Sequence, residues 1–157
     1  MPSFRVVALP TETAEFVRAT RKSPEYGFPV HQEVAVGRAP CRHCLRLIRS
    51  HQEELLLFTY DPFRELGMPP LPGPVYLHVN KCTRHTEDST FPEEYRCRLL
   101  TFAAYGADRK LMEEKRLRNG GEEAVAEQLL ANLAVEYIHV RSTEAGCYLF
   151  RLDRDRK

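Results

Sequence analysis

Three small groups of cysteine and histidine stand out in the chain: Cys41-Arg42-His43-Cys44, then His78-Val79-Asn80-Lys81-Cys82 with His85 just beyond, and His139 with Cys147. Thiolates and imidazoles are the side chains that hold zinc, iron or copper, and a single thiolate can also act as a nucleophile. No other feature of the chain carries comparable chemistry. These residue types name a kind of site, not a reaction.

Cys41-x-x-Cys44 has the spacing of a metal knuckle, provided that the backbone turns between the two sulfurs. Gly37 and Pro40 nearby permit such a turn. A plain strand would instead send the two residues to opposite faces, leaving one buried and one incidental cysteine. A redox reading of the motif needs a helix to follow the first sulfur. The residues after Cys44 read as a strand, although Arg42 and His43 could favour a thiolate. His78-x-x-x-Cys82 lies near the end of an expected strand, where loops often carry function. His85, His31 and His51 read more simply as hydrogen-bonded surface or core groups. His139 and Cys147 flank a hairpin turn near Thr143, so they could face each other across its strands. They would then form a nucleophile and its base, or else pack as core. Cys97, within Arg96-Cys97-Arg98 on an expected helix, reads as structural or incidental. Asp61, in Tyr60-Asp61-Pro62-Phe63, is as much a turn residue as an acid. There is no phosphate loop, dinucleotide-binding glycine pattern or nucleophile elbow.

Three expectations follow. The first is a transition-metal site, zinc or iron, built from Cys41, Cys44, His78 and Cys82, with His139 or Cys147 as an alternative ligand. Four ligands would close it as a structural site, whereas an open position could activate water. The second is a metal-free cysteine enzyme with Cys147 or Cys82 as nucleophile and His139 or His78 as base. The third is a non-catalytic module that binds a small molecule or assembles as a homodimer.

The bulk properties set the setting. A chain of 157 residues, 43% hydrophobic and 29% charged, is in the range of one globular domain, residues 1–157. With 23 basic and 22 acidic residues the net charge is +1, which offers no basic excess for nucleic acid. The C-terminal Arg151-Leu152-Asp153-Arg154-Asp155-Arg156-Lys157 mixes signs and reads as a solvated end. The start, Met1-Pro2-Ser3-Phe4-Arg5, lacks the pattern of a signal peptide. The longest apolar run, Leu55-Leu56-Leu57-Phe58, is far too short to span a membrane. The expected location is the cytoplasm, where the cysteines stay reduced.

The elements that must position these residues read as α+β. Strands are expected at 4–9, 45–48, 54–60, 75–79, 135–140 and 147–152, with hairpin loops at 49–52 and 142–146. The run 55–58 suggests a strand buried on both faces. Gly67-Met68-Pro69-Pro70-Leu71-Pro72-Gly73-Pro74 must be a loop. A short helix capped by Thr11 or Thr13 runs to residue 21, another starts at Pro92, and the clearest covers 121–133. Residues 99–117 fit either a long helix or a hairpin turning at Gly106-Ala107-Asp108. Adjacent strands with short connections favour a largely antiparallel sheet in a single domain, with two or three helices packed on one face.

Longer stretches resemble a mostly bacterial family known as domain of unknown function 1203. They are Pro40-Cys41-Arg42-His43-Cys44-Leu45 and Glu54-Leu55-Leu56-Leu57-Phe58-Thr59-Tyr60-Asp61-Pro62-Phe63. Next come Gly73-Pro74-Val75-Tyr76-Leu77-His78 with Cys82, and Arg98-Leu99-Leu100 leading into Ala104-Tyr105. Tyr137-Ile138-His139-Val140 and Gly146-Cys147-Tyr148 complete the set. The resemblance implies one compact domain and a hairpin at 99–117. This chain departs from the pattern at Gly106, where an acid is usual, and at Arg109, where a glycine is usual. The family brings no established activity, so no catalytic residue is carried over.

Overall fold

Among the described residues, antiparallel strands pair into three sheets, and two α-helices accompany them. The computed structural model describes residues 3–66 and 69–155. Gly67 and Met68 of the proline-rich loop, the first two residues, and Arg156 and Lys157 of the mixed-charge end lie outside the described residues. The chain divides into two units, one formed by Ala8–His85 and the other by the N-terminal strand with the chain from Thr86 onward. The fold class is α+β, dominated by antiparallel sheet.

In the first unit, helix α1 (Thr11–Thr20) buries Thr13, Ala14 and Val17, a stripe at helical spacing. Neither Thr11 nor Thr13 caps it. Pro10 holds the N-cap position without a side-chain bond, and both hydroxyls are used elsewhere: Thr11 meets the His43 ring and Thr13 accepts from Arg64. Strands β2 (His31–Val34), β5 (Glu54–Tyr60) and β6 (Gly73–His78) form a three-stranded sheet in the order β2-β5-β6. Leu55, Leu56, Phe58 and Tyr60 are all buried, so the apolar run of β5 does contribute to both faces. Between β2 and β5 lies a separate two-stranded hairpin, β3 (Ala39–Pro40) with β4 (Leu47–Ile48). This corrects the expectation that residues 45–48 and 54–60 pair with each other. Residues 49–53 do turn, with the Glu53 N–H donating to Arg49 O at 3.0 Å, but the turn carries the chain from one sheet to the next. A short polar loop looks the same in sequence in either case.

The second unit is a five-stranded sheet in the order β1-β10-β9-β7-β8, from β1 (Phe4–Val7), β7 (Leu100–Tyr105), β8 (Leu111–Leu117), β9 (Tyr137–Ser142) and β10 (Tyr148–Arg154). Residues 99–117 are thus a hairpin. Its turn puts Asp108 and Arg109 at φ 57° and 60°, a region that glycine enters without penalty. A glycine at position 109 would suit that geometry. At Gly106 an added Cβ would come 2.9 Å from the Ala134 carbonyl oxygen, so the bare glycine fits where an acid would force a shift. Helix α2 (Glu122–Leu130) buries Ala126, Leu129 and Leu130. It stops short of Leu133, which is 88% exposed. The helix expected at Pro92 is a single 3-10 turn, Glu93–Tyr95. Cys97 lies beyond that turn at φ 56°, its N–H donating to buried Glu122 at 2.8 Å. Rings of Phe91 and Tyr95 meet Phe102 and Phe150 in the core, at centroid separations of 5.3 to 5.8 Å.

Candidate metal centre

The centre begins with the β3–β4 hairpin. Ala39 pairs with Ile48 and Pro40 with Leu47, so the chain must reverse across residues 41–46. The Cys41 N–H donates to Arg46 O at 2.9 Å and the Leu45 N–H donates to Cys41 O at 3.0 Å. Leu45 takes φ 58° to close the turn, at a cost of about 1–2 kcal/mol for a residue with a Cβ. Its side chain is buried, and apolar burial offsets that strain. The turn brings Cys41 and Cys44 to one side, which a strand would not do.

The hairpin lies along β6. Cys41 forms a parallel bridge with Tyr76, and the Arg42 N–H donates to Tyr76 O at 3.0 Å. The Arg42 guanidinium stands 5.6 Å from the centre of the Tyr76 ring. His78 is the last residue of β6. Four residues later Cys82 returns on an irregular segment, which the His85 N–H pins to His43 O at 2.9 Å.

The four predicted ligand atoms meet within 4.8 Å of one another. Cys41 Sγ is 3.8 Å from Cys82 Sγ, and Cys44 Sγ is 3.5 Å from His78 Nδ1. A tetrahedral ion with bonds of about 2.3 Å to sulfur and about 2.0 Å to nitrogen sets edges of about 3.8 Å between sulfurs and about 3.5 Å between sulfur and nitrogen. The donor set therefore fits a transition-metal ion in both chemistry and spacing. Cys41, Cys44 and His78 are buried, while Cys82 is half-buried. The His78 N–H also donates to Cys41 Sγ, at 3.5 Å.

Charge is shared unevenly among the four bare side chains. Contact with Cys41 and Cys44, helped by His43 and His78, holds the Cys82 thiol well below its ordinary value. Contact with Cys41 and Cys82, together with burial, pushes the Cys44 thiol up. The sulfurs of Cys41 and Cys82 raise the His78 imidazole to about 10. The cluster is thus an anionic sulfur held against protonated neighbours, a charge pattern that a cation would replace.

Residues outside the predicted set complete the surroundings. His78 Nε2 lies 3.5 Å from Glu53 Oε2, the carboxylate partner that commonly orients a metal-bound histidine. The Arg49 N–H donates to the other Glu53 oxygen at 2.9 Å and lowers the carboxyl pKa. Arg18 and His43 both reach Cys82 Sγ, at 3.2 and 3.1 Å. Sequence reasoning noted His43 only as a nearby charge and did not pick out Arg18 or Glu53. Nothing in their local spacing distinguishes them from any surface arginine or glutamate.

The other candidates lie elsewhere. His139 belongs to the second unit, fully buried among the rings of Tyr105, Tyr137 and Tyr148 at centroid separations of 5.0 to 5.2 Å. Its partner across β9 and β10 is Arg151, not Cys147. A bulge between Tyr148 and Phe150 shifts the register, and Cys147 precedes β10 with its carbonyl accepting from the Ser142 N–H. The two residues therefore do not face each other across the strands, and His139 packs as core, the other reading the sequence allowed. His31 pairs with exposed Glu33, and His51 sits in an exposed turn at φ 64°. Asp61 is a turn residue: its buried Oδ1 accepts from the N–H groups of Phe63 and Leu71 at 3.0 and 3.1 Å.

The profile of the family described as a protein of unknown function, DUF1203, matches residues 38–154. The chain belongs to this family. All four predicted ligands, with His43 and Glu53, fall inside the DUF1203 match, whereas Thr11 and Arg18 precede it. No curated protein and no solved structure matches the chain. Among the described residues, no helix is long and apolar enough to cross a membrane.

Proposed function

We propose that the chain is a cytoplasmic metal-binding protein whose Cys41, Cys44, His78 and Cys82 hold one zinc or iron ion in a closed, structural site. The observation that carries this reading is the pair of distances, 3.8 Å between Cys41 and Cys82 and 3.5 Å between Cys44 and His78. Both match the edges of a Cys3His tetrahedron about one ion. Four protein ligands leave no open position, so the ion's role is to tie segments together. Zinc suits such a site best, because it imposes no geometry of its own and undergoes no redox change.

The segments tied are the hairpin turn, the end of β6 and the irregular stretch that follows it. Backbone bonds already hold the hairpin turn and the end of β6, whereas the irregular stretch that follows is pinned at Val79 and His85; a structural zinc ion contributes about 10–16 kcal/mol of apparent binding energy in small domains. Native mass spectrometry of protein prepared without chelator tests the reading. One zinc or iron ion per chain is expected, with chelation loosening Ala8–His85. Protein that is metal-free and equally folded would overturn it.

A second reading is favoured by one contact, His43 Nδ1 at 3.1 Å from Cys82 Sγ. That pair is within reach of a thiolate nucleophile and its base. It requires metal-free protein in which Cys82 is alkylated well before the other cysteines near neutral pH.

A further inference from the structure

We propose that Arg18 and His43 are positioning residues of the metal centre, which hold the Cys82 sulfur by paired N–H donors and blunt its reactivity once an ion is bound. The inference rests on the metal reading above. Cys82 is the one of the four predicted ligands that is not buried, and it lies on an irregular segment rather than in the hairpin turn or at a strand end. It is therefore the ligand most in need of outside support, and the one an electrophile in solution would meet.

The support is specific. Arg18, in the last turn of α1, donates from Nη2 to Cys82 Sγ at 3.2 Å and from Nε to His78 O at 3.1 Å. One guanidinium fork thus grips both ends of the His78–Cys82 segment. His43 approaches the same sulfur with Nδ1 at 3.1 Å, and its Nε2 lies 3.0 Å from Thr11 Oγ1. A metal-bound thiolate can only accept, so Nδ1 carries the proton and the Thr11 hydroxyl donates to Nε2. Thr11 opens α1 and Arg18 nearly closes it, so both ends of the helix serve one sulfur. Three thiolates around a divalent ion leave one net negative charge, which the Arg18 guanidinium balances. N–H donors also draw electron density from sulfur, which weakens it as a nucleophile and lowers the energy of its lone pairs.

Cobalt(II)-loaded protein in a Cys97→Ser, Cys147→Ser background provides the test, since the remaining thiols are then the three predicted ligands. The readouts are the thiolate-to-cobalt charge-transfer band and the rate of alkylation by iodoacetamide. Arg18→Leu and His43→Phe should each move the band to longer wavelength and speed alkylation of Cys82 by about tenfold. Arg18→Lys and His43→Asn, which keep a donor in place, should stay close to the parent on both readouts. Each residue thus has two variants, so failure of one to fold leaves the other pair to decide. Variants that bind cobalt with band and rate unmoved would overturn the proposal and leave the metal reading intact. A folded parent that binds no cobalt would overturn both.

Discussion

Glu53 holds the far nitrogen of His78. Its Oε2 lies 3.5 Å from Nε2, while Nδ1 of the same ring is 3.5 Å from Cys44 Sγ. In the proposed site the two ring nitrogens would take different tasks, Nδ1 facing the ion and Nε2–H the carboxylate. Outer partners of this kind are worth about 10–100-fold in metal affinity. Glu53→Gln should weaken zinc binding by about that factor, with the apo fold little changed. Competition against a chromophoric chelator would measure it, and unaltered affinity would show that the carboxylate does not act on the ring.

The pH dependence of binding follows from the charges in the cluster. At pH 7 a proton sits on His78, which the sulfurs raise to about 10, and another on Cys44, which is pushed up by its sulfur neighbours and burial. Cys82, pushed down, has none to give. Ion binding should therefore release at least about two protons at pH 7. Calorimetry in buffers of different ionisation enthalpy would count them. In metal-free protein His78 is the raised case. Its contribution to stability is full below the usual 6.5 and fades as pH climbs to about 10.

His139 should act with the opposite sign. Burial first, then the positive charges of Arg141, Arg151 and Arg109, hold its imidazole well below the usual 6.5. The unfolded chain takes a proton that the fold refuses. Stability from the neutral ring is thus full above about 6.5 and is lost as pH falls. His139→Phe, which keeps an aromatic ring among Tyr105, Tyr137 and Tyr148, should flatten this acid loss. Urea unfolding at pH 7.5 and pH 5 would show a smaller difference for the variant than for the parent. Equal differences would mean that His139 is not the group responsible.

Asp61 should matter for stability alone. Its Oδ1 receives two backbone donors, from Phe63 and Leu71. Asp61→Ala would strand those amides at a cost of about 1–3 kcal/mol, whereas Asp61→Asn keeps an oxygen acceptor and should cost less. Denaturant unfolding of both variants would separate them, with zinc affinity unchanged in each.

Much of this arrangement could be read along the chain, and what could not has physical causes. The candidate ligands were visible because cysteine and histidine are scarce and carry their chemistry with them. The hairpin at 99–117 could not be settled by periodicity, since Leu99 to Leu117 satisfies both patterns; the turn at Asp108 and Arg109 decides it. The pairing of β4 with β3 was hidden, because two-residue strands have no pattern to read. The turn joining β9 to β10 sets Cys147 opposite Ser142, further along than a turn at Thr143 would, so His139 faces Arg151. Arg18 lies 64 positions from Cys82, and only the fold joins them.

X-ray absorption at the metal edge of zinc-loaded protein tests the central claim most directly. Three sulfur neighbours at about 2.3 Å and one nitrogen at about 2.0 Å are expected, with one sulfur lost in Cys82→Ser. A shell of oxygen and nitrogen alone, or a sulfur count that Cys82→Ser leaves unchanged, would contradict the Cys41, Cys44, His78 and Cys82 centre.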